Sequence, residues 1–431
     1  MTELPNEVTF GGVRPLVGEL RVPGDKSISH RAVMFAALAR GRSTLSGLAT
    51  GGDVRATLRA FASLGVRVKP NGENVAISGS GFEGLHEPDD VLDCDNSGTT
   101  MRLMSGILSG RDFVAVLTGD KSLRKRPMAR VVEPLRSMGA AIDGREHGEF
   151  APLVIRGGAL NGIEFDAPVA SAQVKSSIVL AGLQAAGTTV VREPARSRDH
   201  TERMLAALGA SLSVDGLAVS VRAGEWDGFE LDVPADPSSA AFFAVGAAIT
   251  PGSDLVLRDL ALNPTRIAFV GVLRRMGASV EVAEREVRLG EPVGDLRVRA
   301  APLRATTIEG DEIPALLDEI PALAIAAAFA EGVTSIRNAE ELVVKESNRI
   351  GTIHQELTQL GVGCEALPDG LIIRGGSPQP TNLKSHGDHR IAMAGAIAAN
   401  ALDGATTVRG WRAVASSYPE FHEHLAVLTR G

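Results

Sequence analysis

The sequence of 431 residues predicts an α/β protein of two similar domains, each containing three copies of one repeated unit. One observation is a segment that recurs six times: an apolar run rich in small residues, then a glycine, then a β-branched strand. Another is the helix that follows, which in most copies closes on Leu-Gly or Met-Gly. Six copies divide most simply into two sets of three.

The six copies follow one another along the chain at similar spacing. Their apolar runs start at His30, Thr99, Ala172, Ala240, Pro321 and His389. The pivot glycines are about 65 to 80 residues apart, which exceeds the roughly 20 to 50 residues of a solenoid repeat. Each copy is therefore a small α/β module. Its second helix should stop at a glycine in the left-handed conformation.

The sixth copy ends at FHEHLAVLTRG, where a closing turn and strands should follow. The N-terminal segment has strand-like residues but no repeat of its own, so we predict that it completes the C-terminal domain. That domain takes residues 1–21 and 236–431, and the other takes residues 22–235. The two chain crossings, near 21–24 and 232–237, contain prolines and predict a double hinge that closes on ligands.

Composition restricts the partners. The net charge is −8, so nucleic acid is not expected, and any anion site must be a local basic cluster. The longest apolar stretch, residues 322–330, is too short to span a membrane, and the acidic start does not resemble a signal peptide. We expect a cytoplasmic protein. Two cysteines give no disulfide framework, and no Cys/His spacing predicts a metal site.

The copies differ most at the polar starts of their apolar helices. Helix starts offer unpaired N–H groups that favour phosphate or carboxylate. Capping is the alternative interpretation of these Ser, Thr, Asp and Asn residues. Cations at matching starts weaken that alternative, because a positive charge there opposes the helix dipole. These cations are Lys26, Arg31, Lys175 and Arg390.

Two further clusters combine cations with carboxylates. Arg126 precedes Pro127, and a fixed backbone can aim its guanidinium at an oxyanion. Lys345 and Arg349 are spaced to lie on one helix face beside Glu346, although exposed ion pairing explains that spacing equally well. Asp318 precedes an apolar helix, where it is either a cap or a catalytic carboxylate.

Ordered motifs across nearly the whole chain closely resemble those of the 5-enolpyruvylshikimate-3-phosphate (EPSP) synthase family. They are PGDKSISHR, NSGTTMR, GDKSLRKRP, SAQVKSS, SRDHTE, LDEIPALAIAAA, VVKESNR and GDHRIAM. The resemblance implies two domains of three βαβαββ units with pseudo-threefold symmetry, the inside-out α/β barrel of enolpyruvyl transferases, with the active site in the cleft between them. It implies a reaction between shikimate 3-phosphate and phosphoenolpyruvate, without metal or organic cofactor. We expect a monomer, with glyphosate as a candidate inhibitor.

The resemblance also implies roles for individual residues, motif by motif. As the acid/base groups it implies Asp318 for the 5-hydroxyl and Glu346 for the methylene carbon, with Lys26 also catalytic. As ligands of shikimate 3-phosphate it implies Lys26, Ser27, Arg31, Ser171, Ala172, Gln173, Arg198, Asp318 and Lys345. As ligands of phosphoenolpyruvate it implies Lys26, Gly98, Arg126, Gln173, Arg349 and Arg390.

Some positions depart from the commonest family pattern. Ala172 stands where many members have a second serine, and SAQVKSS and SRDHTE resemble the class II branch noted for glyphosate tolerance. Gly98 keeps the small residue of sensitive members, and Ser416 replaces a lysine of many class I members. Two alternatives remain: a UDP-N-acetylglucosamine enolpyruvyl transferase, disfavoured because GDKSLRKRP lacks that family's cysteine, and a non-catalytic anion-binding homologue.

Overall fold

The computed structural model describes residues 4–72 and 74–430. Its internal contacts divide the chain into two compact units. One unit takes the chain up to Pro23, Pro234–Glu286 and the chain from Pro292 onward, and is called the C-terminal unit here. The other, called the N-terminal unit, takes Gly24–Val233 and Val287–Glu291.

Strands and helices alternate along the chain, as the repeats predict. The chain starts with strands β1 (Glu7–Gly11) and β2 (Val17–Leu20). Residues 24–233 form α1 (Lys26–Leu38), β3 (Arg40–Ser46), α2 (Gly52–Ser63), β4 (Arg67–Asn71), β5 (Asn74–Ser80), β6 (Leu92–Asp93), α3 (Gly98–Ser109), β7 (Val114–Thr118), α4 (Ala129–Ser137), β8 (Ala141–Arg145), β9 (Phe150–Arg156), β10 (Glu164–Asp166), α5 (Ala172–Gly182), β11 (Thr188–Arg192), α6 (His200–Ala207), β12 (Leu212–Asp215), β13 (Ala218–Arg222) and β14 (Glu230–Asp232).

The remaining chain continues the same alternation. It forms α7 (Pro237–Ile249), β15 (Asp254–Ala261), α8 (Ala268–Arg275), β16 (Ser279–Arg288), β17 (Glu291–Arg299), β18 (Thr307–Ile308), α9 (Ile320–Phe329), β19 (Val333–Ile336), α10 (Arg349–Gln359), β20 (Gly363–Leu367), β21 (Gly370–Arg374), β22 (Asn382–Lys384), α11 (His389–Asn400), β23 (Ala405–Arg409) and α12 (Phe421–Leu428). Short 3-10 helices lie at Phe82–Gly84, Leu123–Lys125, Gly310–Ala315, Glu340–Val344 and Trp411–Ser416.

The described residues form six small sheets, one for each repeat. The order β6-β7-β9-β8 is typical: β6 is parallel to β7, and β8 and β9 form an antiparallel hairpin. The parallel pair is joined through a buried helix, α3, which is the βαβ connection expected for parallel strands. The predicted α/β class with six repeated modules is confirmed.

Three sheets are completed by strands from distant parts of the chain. In the first repeat, β14 lies parallel to β3, and in the fourth, β2 lies parallel to β15. In the sixth, β1 pairs antiparallel with β23. The N-terminal strands therefore lie in sheets of the C-terminal unit, and β1 stands where the other repeats place a strand of their own hairpin.

The apolar runs form the buried first helices of the repeats, α1, α3, α5, α7, α9 and α11. In α9, every residue from Ile320 to Ala328 is buried. Small residues allow these helices to approach closely: a Cβ on Gly106 of α3 would lie 2.1 Å from the Ser177 carbonyl oxygen of α5. The second helices stop as expected, with positive φ at Gly65, Gly139, Gly209, Gly277 and Gly361. Within residues 4–72 and 74–430, no helix is long and apolar enough to cross a membrane.

Candidate active site

The start of α1 combines a carboxylate cap with two cations. The Asp25 side chain accepts a hydrogen bond from a first-turn amide at 2.7 Å, which satisfies the helix start locally. Lys26 Nζ lies 3.1 Å from Asp53 Oδ2, in the first turn of α2. Ser27 is half-buried, and its carbonyl accepts from Arg31 Nη1 at 3.0 Å. The helix start is therefore capped and still lies beside positive charge.

Arg31 is held by hydroxyl groups rather than by a carboxylate. Its Nε donates to Thr201 Oγ1 at 2.6 Å and its Nη2 to Ser176 Oγ at 2.8 Å. Burial lowers the pKa of Arg31 to about 10, opposed by Glu202, while the positive charge of Arg198 adds to the lowering. The side chain thus stays protonated at neutral pH, and Arg198 is near enough to act on it.

The starts of α3 and α5 lie together. Arg126 Nη2 donates to Asn96 Oδ1 at 2.7 Å, and a Cβ built on Gly98 would lie 3.5 Å from Arg126 Nη1. Gln173 Nε2 donates to Thr99 Oγ1 at 3.0 Å, and Arg102 donates to the Gln173 side-chain oxygen. Arg126 and Gln173 therefore both border the helix start at Gly98.

The start of α5 is polar and partly accessible. Ser171 is the capping residue, with Oγ 3.5 Å from the Val174 amide, and it is half-buried together with Ala172 and Gln173. The Ser171 backbone N–H itself donates to Glu193 Oε1 at 3.1 Å. These three residues leave a helix N-terminus that can accept an anion.

The predicted residues of the C-terminal unit collect around Arg349, whose side chain is fully buried. Its Nε lies 2.9 Å from Asp388 Oδ2, its Nη1 lies 3.3 Å from Asp318 Oδ1, and its Nη2 lies 2.6 Å from Glu346 Oε2. Burial alone would lower the pKa of Arg349, but Asp388, Glu346 and Asp318 outweigh it and raise that pKa. One buried guanidinium thus orients both carboxylates that the motifs predict to be catalytic.

Arg390 joins the same cluster through Asp318. Its Nη1 donates to the Asp318 carbonyl oxygen at 2.9 Å, and its Nη2 lies 3.5 Å from Asp318 Oδ2. The capping alternative for Asp318 is wrong, because α9 begins at Ile320 and has no side-chain cap. The Asp318 carboxylate instead faces two guanidinium groups.

The prediction that Lys345 and Arg349 share one helix face is wrong. The 3-10 helix Glu340–Val344 ends before Lys345, and α10 begins only at Arg349. Asn348 separates the two elements because its side chain accepts from the Gly351 amide at 3.1 Å and caps α10. Lys345 and Glu346 therefore lie in an irregular segment.

Lys345 is close to the carboxylate cluster although it is not on α10. Desolvation lowers the pKa of Lys345, Asp318 opposes that lowering, and the positive charge of Arg349 adds to it. A lysine whose pKa is lowered releases its proton more readily than a free lysine does. This position can therefore contribute a proton carrier as well as a positive charge.

Several partners of the predicted residues have no signal in the sequence. Thr201 and Ser176, which hold Arg31, come from the third repeat and are far from it along the chain. Asp53, which contacts Lys26, lies in the second helix of the same repeat. Only the repeat symmetry, which places helix starts at equivalent positions, hints at such contacts. In the described part of the chain, no group of three or more His, Cys, Asp or Glu residues could hold a metal ion.

Comparisons with known proteins identify the family of the chain. The family model described as EPSP synthase (3-phosphoshikimate 1-carboxyvinyltransferase) matches residues 11–425. The 3-phosphoshikimate 1-carboxyvinyltransferase of Bacillus licheniformis is 50% identical over 421 residues, covering 97% of this chain and 98% of the relative. That of Synechococcus sp. (strain JA-3-3Ab) is 54% identical over 421 residues, covering 96% and 95%.

Solved structures show the same similarity in three dimensions. EPSP synthase from Acinetobacter baumannii has 43% identity and a TM-score of 0.88, with 98% of each chain covered. The enolpyruvyl transferase NikO from Streptomyces tendae has a TM-score of 0.79 at 20% identity, covering 98% of this chain and 97% of that one. At this identity the second likeness concerns the fold alone, and it supports the predicted inside-out α/β architecture.

Proposed function

Because the chain belongs to the EPSP synthase family, we propose that it transfers the enolpyruvyl group of phosphoenolpyruvate to the 5-hydroxyl of shikimate 3-phosphate. The products are 5-enolpyruvylshikimate 3-phosphate and inorganic phosphate, on the pathway to chorismate and the aromatic amino acids. The observation that carries the proposal in this chain is the pair of carboxylates, Asp318 and Glu346, held by the buried Arg349.

The chemistry requires two proton transfers in opposite directions. In the addition step, the 5-hydroxyl oxygen bonds to C2 of phosphoenolpyruvate, loses its proton to a base, and C3 gains a proton from an acid. In the elimination step, C3 loses a proton and the bond from C2 to the phosphate oxygen breaks, so phosphate leaves. Asp318 is the proposed base and Glu346 the proposed acid, with Lys345 as a ligand and proton carrier. No covalent nucleophile is required.

Shikimate 3-phosphate is proposed to bind at the starts of α1 and α5. Lys26, Ser27 and Arg31 belong to the first of these, and Ser171, Ala172 and Gln173 to the second. Arg31 supports this assignment because hydroxyl groups, not carboxylates, accept from its Nε and Nη2. Its charge is therefore not locally neutralised by the groups that hold it. Arg198 adds a second positive charge, and Asp318 and Lys345 complete the proposed ligand set.

Phosphoenolpyruvate is proposed to bind Arg126, Arg349 and Arg390, with Lys26, Gln173 and the backbone at Gly98. Planar guanidinium groups suit carboxylate and phosphate because they donate two parallel hydrogen bonds. The short approach between Gly98 and Arg126 supports their acting together. Positive charge around the developing tetrahedral centre would stabilise the transition state.

A phosphate release assay tests the proposal. The purified protein should release phosphate only when phosphoenolpyruvate and shikimate 3-phosphate are both present, with one enolpyruvyl ether formed per phosphate. Replacing shikimate 3-phosphate by UDP-N-acetylglucosamine should abolish release. Release with the second acceptor instead would identify the rival transferase, and binding of both anions without release would identify a non-catalytic homologue.

Further proposals concern the location, the oligomeric state, the partners and the inhibition of the enzyme. We propose a cytoplasmic monomer, and sedimentation of the purified protein measures its mass directly. The net charge of −8 disfavours nucleic acid as a partner. Glyphosate is proposed to compete with phosphoenolpyruvate at the residues around Gly98, and inhibition at several phosphoenolpyruvate concentrations would reveal that competition.

A further inference from the structure

A buried ion triad lies beneath the start of α5. Lys175 Nζ lies 2.6 Å from Glu193 Oε2 and 2.7 Å from Glu202 Oε1. The three side chains are only 4%, 3% and 6% exposed in that order. Burial alone would lower the pKa of Lys175, but the two glutamates outweigh it and raise that pKa. Lys175 therefore stays protonated between the two carboxylates.

Stability alone explains this triad poorly. Burying charged groups costs free energy that their mutual attraction only partly returns, and apolar side chains of similar volume often stabilise a core better. The second oxygen of Glu202, Oε2, is buried without a hydrogen-bond partner, which adds to that cost. An arrangement of this kind calls for a role beyond holding the fold together.

Glu193 differs from Glu202 in the hydrogen bonds that its second carboxylate oxygen accepts. Glu193 Oε1 accepts from the Ser171 backbone N–H at 3.1 Å and from Ser197 Oγ at 2.6 Å. Ser171 opens the segment Ser171–Gln173, and Ser197 directly precedes Arg198. One carboxylate thus fixes both segments that the proposed function assigns to the phosphate of shikimate 3-phosphate.

Lys175 explains how Glu193 keeps its orientation. The lysine lies on α5 itself, one turn after Ser171, and its ammonium group holds Glu193 Oε2. The negative charge of a glutamate near an anion site weakens anion binding. Any favourable contribution of Glu193 must therefore come from the backbone geometry that it imposes on Ser171.

We infer that Glu193, held by Lys175, is a positioning residue that orders Ser171–Gln173 and Arg198 for the phosphate of shikimate 3-phosphate. This inference rests on the proposed function, because that function supplies the ligand. Glu202 contacts the same ammonium group but neither segment, so it provides a control within the same triad. Its negative charge acts on Arg31, and removing that charge should not weaken binding of an anion.

The test compares Glu193→Ala with Glu202→Ala, since each variant leaves Lys175 with one carboxylate. Both should lower the melting temperature. Only Glu193→Ala should raise the Michaelis constant for shikimate 3-phosphate, by about tenfold, the scale of a lost hydrogen bond to a charged group. The kcat and the Michaelis constant for phosphoenolpyruvate should change less than twofold in both. Glu193→Gln should restore part of the affinity, because its amide oxygen can accept from Ser171.

The exchange rate of the Ser171 amide hydrogen measures how firmly Glu193 holds this backbone, without any substrate. The Ser171 amide should exchange at least tenfold faster in Glu193→Ala and at the wild-type rate in Glu202→Ala. Equal Michaelis constants or equal exchange in the two alanine variants would overturn the inference. Titration of the wild-type protein with shikimate 3-phosphate separates the two failures: absence of wild-type binding contradicts the proposed function, whereas wild-type binding that Glu193→Ala leaves unchanged contradicts only the inference.

Discussion

Arg349 and Asp388 form a charge pair in which neither side chain is exposed to solvent, with 2.9 Å between Nε and Oδ2. Removal of Asp388 leaves the buried Arg349 guanidinium with only the two partly exposed carboxylates of Asp318 and Glu346. We predict that Asp388→Ala lowers the free energy of unfolding of the C-terminal unit by about 3 kcal/mol, the lower end of the range for a broken buried pair, measured by urea denaturation.

Asp388 also caps α11, because it accepts from the Arg390 amide at 2.9 Å. Asn348→Ala, which removes the exposed cap of α10, controls for that contribution and should cost only about 1 kcal/mol. Similar losses in the two variants would show that the charge pair contributes little.

Turnover should depend on the two carboxylates held by Arg349. Glu346→Gln and Asp318→Asn keep shape and hydrogen-bonding capacity but cannot transfer the proton in the same way. We predict that each lowers kcat by about 100-fold or more, with small changes in both Michaelis constants. The control is Glu340→Gln, an exposed carboxylate in the adjacent 3-10 helix, which should leave kcat unchanged. Near-wild-type rates for both site variants would remove them from the acid/base chemistry.

Substitution of Gly98 should weaken the binding of phosphoenolpyruvate, because Gly98 lies beside the proposed ligands of that substrate. An added Cβ would lie 3.1 Å from Arg102 Nη1 and 3.5 Å from Arg126 Nη1, so the first guanidinium must shift. We predict that Gly98→Ala raises the Michaelis constant for phosphoenolpyruvate several-fold. The Michaelis constant for shikimate 3-phosphate should rise less, through Arg102 and its partner Gln173. In the control, Gly271→Ala, the new Cβ meets no atom within 4 Å. An equal effect on both substrates in Gly98→Ala would contradict a local displacement.

We predict that the buried His30, at one end of a hydrogen-bond chain, makes the stability of the protein depend on pH. His30 Nδ1 lies 2.7 Å from Thr57 Oγ1, which lies 2.8 Å from Thr100 Oγ1, and that hydroxyl donates to Ser97 Oγ at 2.7 Å. Burial, reinforced by Lys26 and Arg31, lowers the pKa of His30 well below its usual value. The folded protein therefore resists a proton that the unfolded chain accepts below about pH 6.5.

The sign of this dependence follows from the proton counts. The contribution of neutral His30 to the free energy of unfolding is fully present above about pH 6.5. It is lost as the pH falls below that value, by up to about 1.4 kcal/mol per pH unit. Urea unfolding at pH 7.5 and 5.5 should show this loss in the wild-type protein and a shallower one in His30→Asn. The same slope in both proteins would exclude His30 as its source.

The architecture could be predicted from the repeats, whereas the contacts between repeats could not. Hydrophobic periodicity and closing glycines indicate the modules, because burial and left-handed backbone leave local marks. The break between Lys345 and Arg349 does not follow from their helix-like spacing, because the Asn348 side chain caps α10 at that point. The burial of Arg349 among three carboxylates depends on packing between separate segments, which no local pattern encodes.

The most direct test of the proposed addition and elimination is nuclear magnetic resonance of the reaction in D2O. With shikimate 3-phosphate and phosphoenolpyruvate present, the account predicts equimolar phosphate and enolpyruvyl ether, with deuterium in the vinyl methylene group. Deuterium enters there because C3 is protonated in the addition and deprotonated in the elimination. A product whose vinyl group contains no deuterium, or phosphate released without the ether, would contradict the account.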